Sequence, residues 1–305
     1  ASIILHIDDL SNTNIKKLDI PALNYLFKRV KNKKSADIEF EIEIDNKNTQ
    51  WVLGSMNQSK TTGEFILVVH DITQLRQLNS MRRDFISNLS HELRTPVSVI
   101  RANSETLLDG ALDNKKDAKV FAKAILHNSE RLSLMVSDLI DLSRIEYGDL
   151  KLNIVPIDLD SFIEPFILSM ESLTKKKGIN LTYKPAHKTK IKADVQALER
   201  ILTNLIDNAF KYSPDESFIE ISTKQEDNNV RVMISDNGIG ISDADKGHIF
   251  DRFYRAASAR ASHNKGSGLG LAIVKNLVNS LNGEVGVSSG LPEGSTFWFT
   301  LPAGK

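Results

Sequence analysis

The residues of this chain whose types and spacing suit chemistry fall into a few short runs. The first is Phe85-Ile-Ser-Asn-Leu-Ser-His91-Glu92-Leu-Arg-Thr95-Pro96. At about 100° per residue, Phe85, Leu89, Leu93, Val97 and Ile100 share one helical arc roughly 120° wide. His91 lies opposite the middle of that arc, so its imidazole is expected to face water. A solvent-facing imidazole followed by the carboxylate of Glu92 is a poor core element and a good phosphate acceptor.

Four further features stand far downstream. On a helix expected from Asp194 to Tyr212, Asn204 and Asn208 lie four apart and share a face, with Lys211 and Tyr212 one turn on. An amide oxygen suits Mg²⁺, which keeps several waters and binds substrate phosphates, and an ammonium suits a phosphate. Ser235-Asp236-Asn-Gly238-Ile-Gly240-Ile241 follows a strand. The Asp236 carboxylate at that strand end can accept a hydrogen bond from an exocyclic amine such as adenine N6, while Gly238 and Gly240 let backbone pass close to a flat base. Gly266-Ser267-Gly268-Leu269-Gly270-Leu271 opens another helix, where free N–H groups and the dipole favour anions. No strand precedes these glycines and no βαβ unit surrounds them, so a dinucleotide fingerprint is excluded by context. Between these runs, 243–265 reads as a lid anchored by Phe253 and its neighbours, with Arg255 or Lys265 in reach of a terminal phosphate.

The elements that must position these groups follow from periodicity. Residues 1–72 read as mixed α/β, with a helix pair over Leu18 to Val30 capped by Asp19. Strands follow at Ile38–Ile44, Trp51–Met56 and Phe65–Asp71, the last entered through a turn at 61–64. From Thr73 the apolar period lengthens, with Leu75, Leu78, Arg82, Phe85 and Leu89 on one seam. This helix should run through Pro96, kinked there, and end near Asp109-Gly110. A second helix is expected from Asp117 to Glu146, closed by Tyr147-Gly148-Asp149. Two such helices bury too little alone, and pairing two copies makes a four-helix bundle. Residues 73–150 thus form a helical segment, and 151–305 a separate α/β domain with strands at Ile219–Ile221, Val230–Ile234 and Ser295–Leu301.

Composition bounds the rest. The 305 residues suggest two or three domains. Lys plus Arg and Asp plus Glu number 39 each, so no net field draws nucleic acid or anionic lipid. The absence of cysteine excludes thiol catalysis, thiolate metal sites and disulfides. No apolar run reaches the roughly 18 residues of a membrane span. The start at Ala1-Ser-Ile3 without Met reads as an excised fragment whose membrane anchor lies elsewhere.

His-Glu-Leu-Arg-Thr-Pro at 91–96, Asn-Leu-Ile-Asp-Asn-Ala-Phe-Lys-Tyr at 204–212, Asp-Asn-Gly-Ile-Gly at 236–240, Phe-Tyr-Arg at 253–255 and Gly-Ser-Gly-Leu-Gly-Leu at 266–271 come in this order. Together they resemble the H, N, G1, F and G2 boxes of the bacterial sensor histidine kinases, over residues 73–305. Ser-Asn-Leu-Ser before His91 and Leu-Leu-Asp-Gly-Ala-Leu after it are similar to the phosphate-regulon and cell-wall sensor subgroup. The resemblance implies an N-terminally truncated PAS-like α+β domain, a dimeric antiparallel helical hairpin for histidine phosphotransfer, and an α/β sandwich of the Bergerat (GHKL) ATP-binding type.

It also implies roles. His91 would take the γ-phosphoryl group of ATP, aided by Glu92. Asn208, with Asn204 acting indirectly, would hold Mg²⁺, and Asp236 would select adenine. The glycine run with Ser267 and Leu269 would cradle phosphates, with Lys211, Tyr212, Phe253 and Arg255 around them. Thr95, in the pattern His-Glu-x-x-Thr, would position water for dephosphorylating a partner. That partner would be the receiver domain of a response regulator, and the chain would be the cytoplasmic portion of a membrane-anchored bacterial sensor. The alternatives are an ATP-driven conformational machine of the same superfamily, against which Asn204 stands where such machines carry a carboxylate, or a sensor dominated by phosphatase activity.

Overall fold

The computed structural model describes residues 20–45, 48–146, 148–186, 189–256, 259, 267–289 and 294–304. The chain divides into two compact units, residues 1–87 and 88–305.

In the first unit, helix α1 (Pro21–Lys33) is followed by the antiparallel strands β1 (Ser35–Asp45), β2 (Asn48–Gln58) and β3 (Phe65–Asp71), paired in that order. Leu23, Leu26 and Val30 recur at steps of three and four, so α1 has one apolar stripe. That stripe meets Phe40, Val52, Met56 and Val69 from the sheet. The acidic residues alternating with them, Glu39, Glu41 and Glu43, are exposed. The helix pair expected over Leu18 to Val30 falls within the described residues only from residue 20, and there α1 begins at Pro21, which takes its first turn, where a missing N–H costs nothing. The expected cap Asp19 lies outside the described residues.

Helix α2 (Thr73–Leu108) leaves β3 through a short polar hinge. The Asp71 carboxylate accepts the Thr73 N–H at 2.8 Å, and these Thr73 bonds hold its carboxyl below the usual range. Arg76 pairs with Glu39 and lies 4.3 Å over the Trp51 ring. The helix is continuous through Pro96.

In the second unit, a short 3₁₀ turn (Ala111–Asp113) joins the end of α2 to α3 (Lys115–Glu146). The apolar arc of α2 is only partly covered. Leu89, Leu93 and Ile100 are half-buried, but Val97, placed in the same arc from sequence, is 51% exposed and Pro96 is buried instead. The cause is that one neighbouring helix covers a narrower strip than a bundle would. Leu108, Leu112, Val120, Leu126 and Ile140 are likewise exposed.

The rest is a layered α/β fold. Strand β4 (Val155–Asp158), helices α4 (Leu159–Ser169) and α5 (Glu171–Lys177), β5 (Asn180–Lys184) and β6 (Lys190–Ala193) precede helix α6 (Val195–Tyr212). Strands β7 (Phe218–Glu226) and β8 (Asn229–Asp236) follow, then α7 (Asp243–Lys246), α8 (Gly270–Ser280), β9 (Val285–Ser289) and β10 (Ser295–Pro302). The main sheet runs β5-β7-β8-β10-β9, antiparallel except for β5 with β7, and β4 pairs with β6. Strand β8 alternates buried Val230, Val232, Ile234 and Asp236 with half-exposed residues, so its last inward position is a carboxylate. The Asp194 side chain caps α6 by accepting the Ala197 N–H at 2.9 Å. Below that cap Leu198, Ile201, Leu202, Leu205 and Ile206 are fully buried, each worth about 1.5–3 kcal/mol of apolar transfer. This burial fixes the rotation of α6 and turns its polar side toward the site.

Candidate active site

The polar side of α6 consists of two ridges with four-residue spacing, Arg200–Asn204–Asn208 and Thr203–Asp207–Lys211. All six residues line one cleft, with Tyr212 beside them. The cleft holds about 240 Å³, close to the lower end of small-molecule sites. Asp236, at the end of β8, and Gly240 form its floor, and Arg255, Ser267, Gly268 and Gly270 complete the rim. Gly238 opens on a neighbouring recess shared with Lys211 and Tyr212. Leu269 is buried beneath the loop, and Phe253 is half-buried. Gly266 and Lys265 lie outside the described residues.

The electrostatics are those of a desolvated polar site. Burial pushes the Asp236 carboxyl above its ordinary range, opposed by the backbone N–H groups of Gly238, at 2.8 Å, and Ser295. Burial raises Asp207 too, against the pull of Lys211 and Arg200. Raised carboxylates converging in a cleft mark a site for a ligand that brings donors or cations.

The phosphate side is tight. A Cβ on Gly270 would sit 2.7 Å from Asn204 Oδ1, so that amide lies directly against the start of α8. Gly268 has φ +71°, and a Cβ there would meet the Phe253 backbone at 2.8 Å. Phe253 itself has φ 60° and donates its N–H to the Gly268 carbonyl at 2.9 Å. Gly268→Ala therefore strains one segment and displaces the other. It is expected to cost at least about 1–2 kcal/mol, a fall of about 2–8 °C in Tm. A thermal melt checks this, and an unchanged Tm would contradict the placement of Phe253 against the loop.

A divalent cation fits only in company. Among the described residues no group of three or more His, Cys, Asp or Glu side chains could hold a metal. The Asn208 amide has no hydrogen-bond partner among them, whereas Asn204 donates to the Arg200 carbonyl at 2.8 Å. One free amide oxygen beside a phosphate-sized rim suits Mg²⁺ that takes its remaining ligands from waters and a polyphosphate.

A third wall comes from α3, which supplies Arg131, Met135 and Asp138. Asp138 accepts from Arg200 at 2.5 Å and from the Ser267 hydroxyl at 3.3 Å. Its carboxyl is raised by burial, with Arg200 opposing. Arg252 pairs with Glu146 on the same helix. Sequence reasoning missed Arg131, Asp138 and Arg200. For Arg200 a signal existed, since it continues the Asn204–Asn208 spacing backward by one step. Polar positions on α3 gave none.

His91 is exposed on α2 and lies outside the cleft lining. The Thr95 hydroxyl, one turn on, donates to the His91 carbonyl at 3.3 Å. Glu92 accepts from Arg131 Nη2 at 3.0 Å across the hairpin.

Two family models match this part of the chain. Residues 81–148 match the "His Kinase A (phospho-acceptor) domain". Residues 193–305 match the "Histidine kinase-, DNA gyrase B-, and HSP90-like ATPase". The sensor-like histidine kinase SenX3 of Mycobacterium tuberculosis is 35% identical over 238 residues, 78% of this chain and 58% of the relative. The sensor protein SrrB of Staphylococcus aureus is 28% identical over 299 residues, 96% of this chain and 51% of the relative. Among solved structures, the Acinetobacter baumannii histidine kinase AdeS aligns with TM-score 0.59 at 27% identity, over 70% of this chain and 98% of that one. The chain thus spans roughly half to three-fifths of the length of these two relatives. An exposed histidine on a helical hairpin, a desolvated cleft in the lobe that follows, and both domain matches in that order lead to one assignment: the chain belongs to the two-component sensor histidine kinases.

Proposed function

We propose that this chain is an ATP-dependent protein-histidine kinase that phosphorylates itself on His91 and passes the phosphoryl group to an aspartate of a response regulator. The observation that carries the reading is the pairing of an exposed His91 with a cleft whose walls bring Asn204, Asn208, Asp236, Gly268 and Gly270 together within the same compact unit.

In this reading the Asp236 carboxylate accepts the adenine amine. Backbone N–H groups at the start of α8 receive the phosphates, with Lys211, Arg255 and Ser267 beside them. Asn208 would hold Mg²⁺, with Asn204 acting indirectly, and the ion would supply charge to offset that of the phosphates. One imidazole nitrogen of His91 attacks the γ-phosphorus. The N–P bond forms as the bond to the β–γ bridging oxygen breaks, ADP leaves, and the other ring nitrogen gives its proton to Glu92. The Thr95 hydroxyl, free to rotate from the His91 carbonyl, positions water for the reverse duty of dephosphorylating the regulator.

The domain division we propose is a PAS-like sensor domain at 1–72, a signalling helix with the phosphotransfer hairpin at 73–150, and the ATP-binding domain at 151–305. The helix and three-stranded sheet of the first unit support the PAS-like reading. The uncovered apolar residues of the hairpin support pairing of two copies into a four-helix bundle, since Leu108, Leu112 and Val120 are 59–78% exposed. No helix among the described residues is long and apolar enough to cross a membrane.

Incubation with Mg²⁺ and ATP labelled at either the γ or the α position tests the activity. Covalent label from γ-ATP alone, then lost to an added receiver domain, supports it. Label from α-ATP would instead make the chain a nucleotidyl transferase.

A further inference from the structure

The geometry points to Arg131 as a positioning residue for phosphoryl transfer, the third member of a His91–Glu92–Arg131 relay. This rests on the kinase reading above and deepens it.

Successive residues on a helix diverge by about 100°, so Glu92 does not face the His91 imidazole by backbone geometry alone. A carboxylate that must take a proton from a neighbouring ring needs something to aim it, as the base of a nucleophile–base pair is oriented by a third group. Arg131 supplies that group from the opposite helix. Its Nη2 donates to Glu92 Oε2 at 3.0 Å, and the other carboxylate oxygen has no partner among the described residues. The side chains are sheltered, 14% exposed for Arg131 and 27% for Glu92, so the pair is screened less than a surface ion pair. One oxygen is anchored and the other is left for the imidazole N–H.

Arg131 is also a wall of the nucleotide cleft, on the same ridge of α3 as Met135 and Asp138. Its Nε is buried without a hydrogen-bond partner among the described residues. The guanidinium thus stands between the lobe that holds the phosphates and the carboxylate beside the acceptor. As the phosphoryl group moves to His91 and the ring proton moves to Glu92, Arg131 keeps the receiving carboxylate in place.

A merely structural ion pair would staple the hairpin and leave the chemistry alone, and the full 305-residue chain distinguishes the two. The saturating rate of γ-labelling is measured together with nucleotide affinity, by displacement of a fluorescent ATP analogue. Arg131→Gln is expected to lower the saturating rate by about 10–100-fold, a larger factor than any loss of affinity. Arg131→Lys, which keeps the charge but not the planar fork, should give an intermediate rate. The double variant Glu92→Gln/Arg131→Gln should be no slower than Glu92→Gln by more than about twofold, because Arg131 acts through Glu92. An unchanged rate, a loss carried by affinity, or losses that multiply in the double variant would each overturn the inference. If Arg131→Gln fails to fold, Arg131→Lys decides, by a loss of saturating rate that exceeds its loss of affinity or by none. Absence of His91 label in the unmodified chain would take down the kinase reading and this inference together. Normal labelling with indifferent Arg131 variants would remove this inference alone.

Discussion

Asn208→Asp is expected to abolish γ-labelling while the chain stays folded. The residue sits on the half-buried polar side of α6, with its amide toward the cleft and no partner among the described residues. Aspartate there adds a second carboxylate next to Asp207, which burial already raises. Lys211, which with Arg200 offsets Asp207, would be drawn to the new charge and away from the phosphates. Metal charge and phosphate charge would then be balanced by the protein rather than by each other. The initial rate should fall on the order of 10²-fold or more, as when an electrostatic group at a reacting centre is removed. Because the substituted atom faces the cleft and not the core, the thermal midpoint should change little. A rate within tenfold of the native chain would remove Asn208 from the metal role.

Asp236→Asn is the second large effect. Its carboxylate is 8% exposed and lines the cleft. A hydrogen bond to a charged group is worth about 1.5–3 kcal/mol, so losing that charge should weaken ATP binding by roughly 10–150-fold. Discrimination of ATP against GTP should weaken with it, because the acceptor that selects the adenine amine is then an amide free to turn. The pH dependence has a definite sign. Burial raises the folded-state pKa, so this group stabilises the empty fold at low pH, and that contribution is lost as pH rises through the raised value. Adenine needs the ionised form, so ATP affinity runs the other way. It should be full at neutral pH and fall on acidification, starting above the ordinary carboxylate range of about 3.9. Titration of ATP binding checks this. The native chain should show the acid fall and Asp236→Asn should not, and identical profiles would contradict the role.

The two charges on Asp138 and Asp236 show what a linear sequence conveys and what it withholds. Asp236 ends a strand of alternating apolar residues and precedes two glycines, so its inward orientation could be read from period and turn chemistry. The four-residue steps of Asn204 and Asn208 were equally plain, since helical spacing alone puts them on one face. Helix α2 was legible from Thr73 almost to its end, because its apolar steps of three and four are long and Gly110 follows them. Asp138 and Arg131 are different. They lie among the polar positions of α3, where a solvated face is the ordinary meaning. Only the docking of α3 against the cleft, with Met135 and Leu142 buried, makes them part of the site. The pairing of Glu92 with Arg131 was hidden for the same reason, because the two lie 39 residues apart on different helices. Val97 was assigned to the covered arc by angle alone, and angle does not say how wide a strip the neighbouring helix covers. At α1 the start carries its own signal, since Pro21 sits in the first turn, where a missing N–H costs nothing.

In the proposed reaction one imidazole on the outside of the hairpin receives the terminal phosphoryl group held by the following lobe. The most direct test is incubation of the native chain and His91→Gln with γ-labelled ATP and Mg²⁺, followed by acid and alkali treatment of the labelled protein. The expected result is label on the native chain that acid removes and alkali spares, and none on His91→Gln. Label that persists on His91→Gln, or that survives acid on the native chain, would put the acceptor on another residue and contradict it.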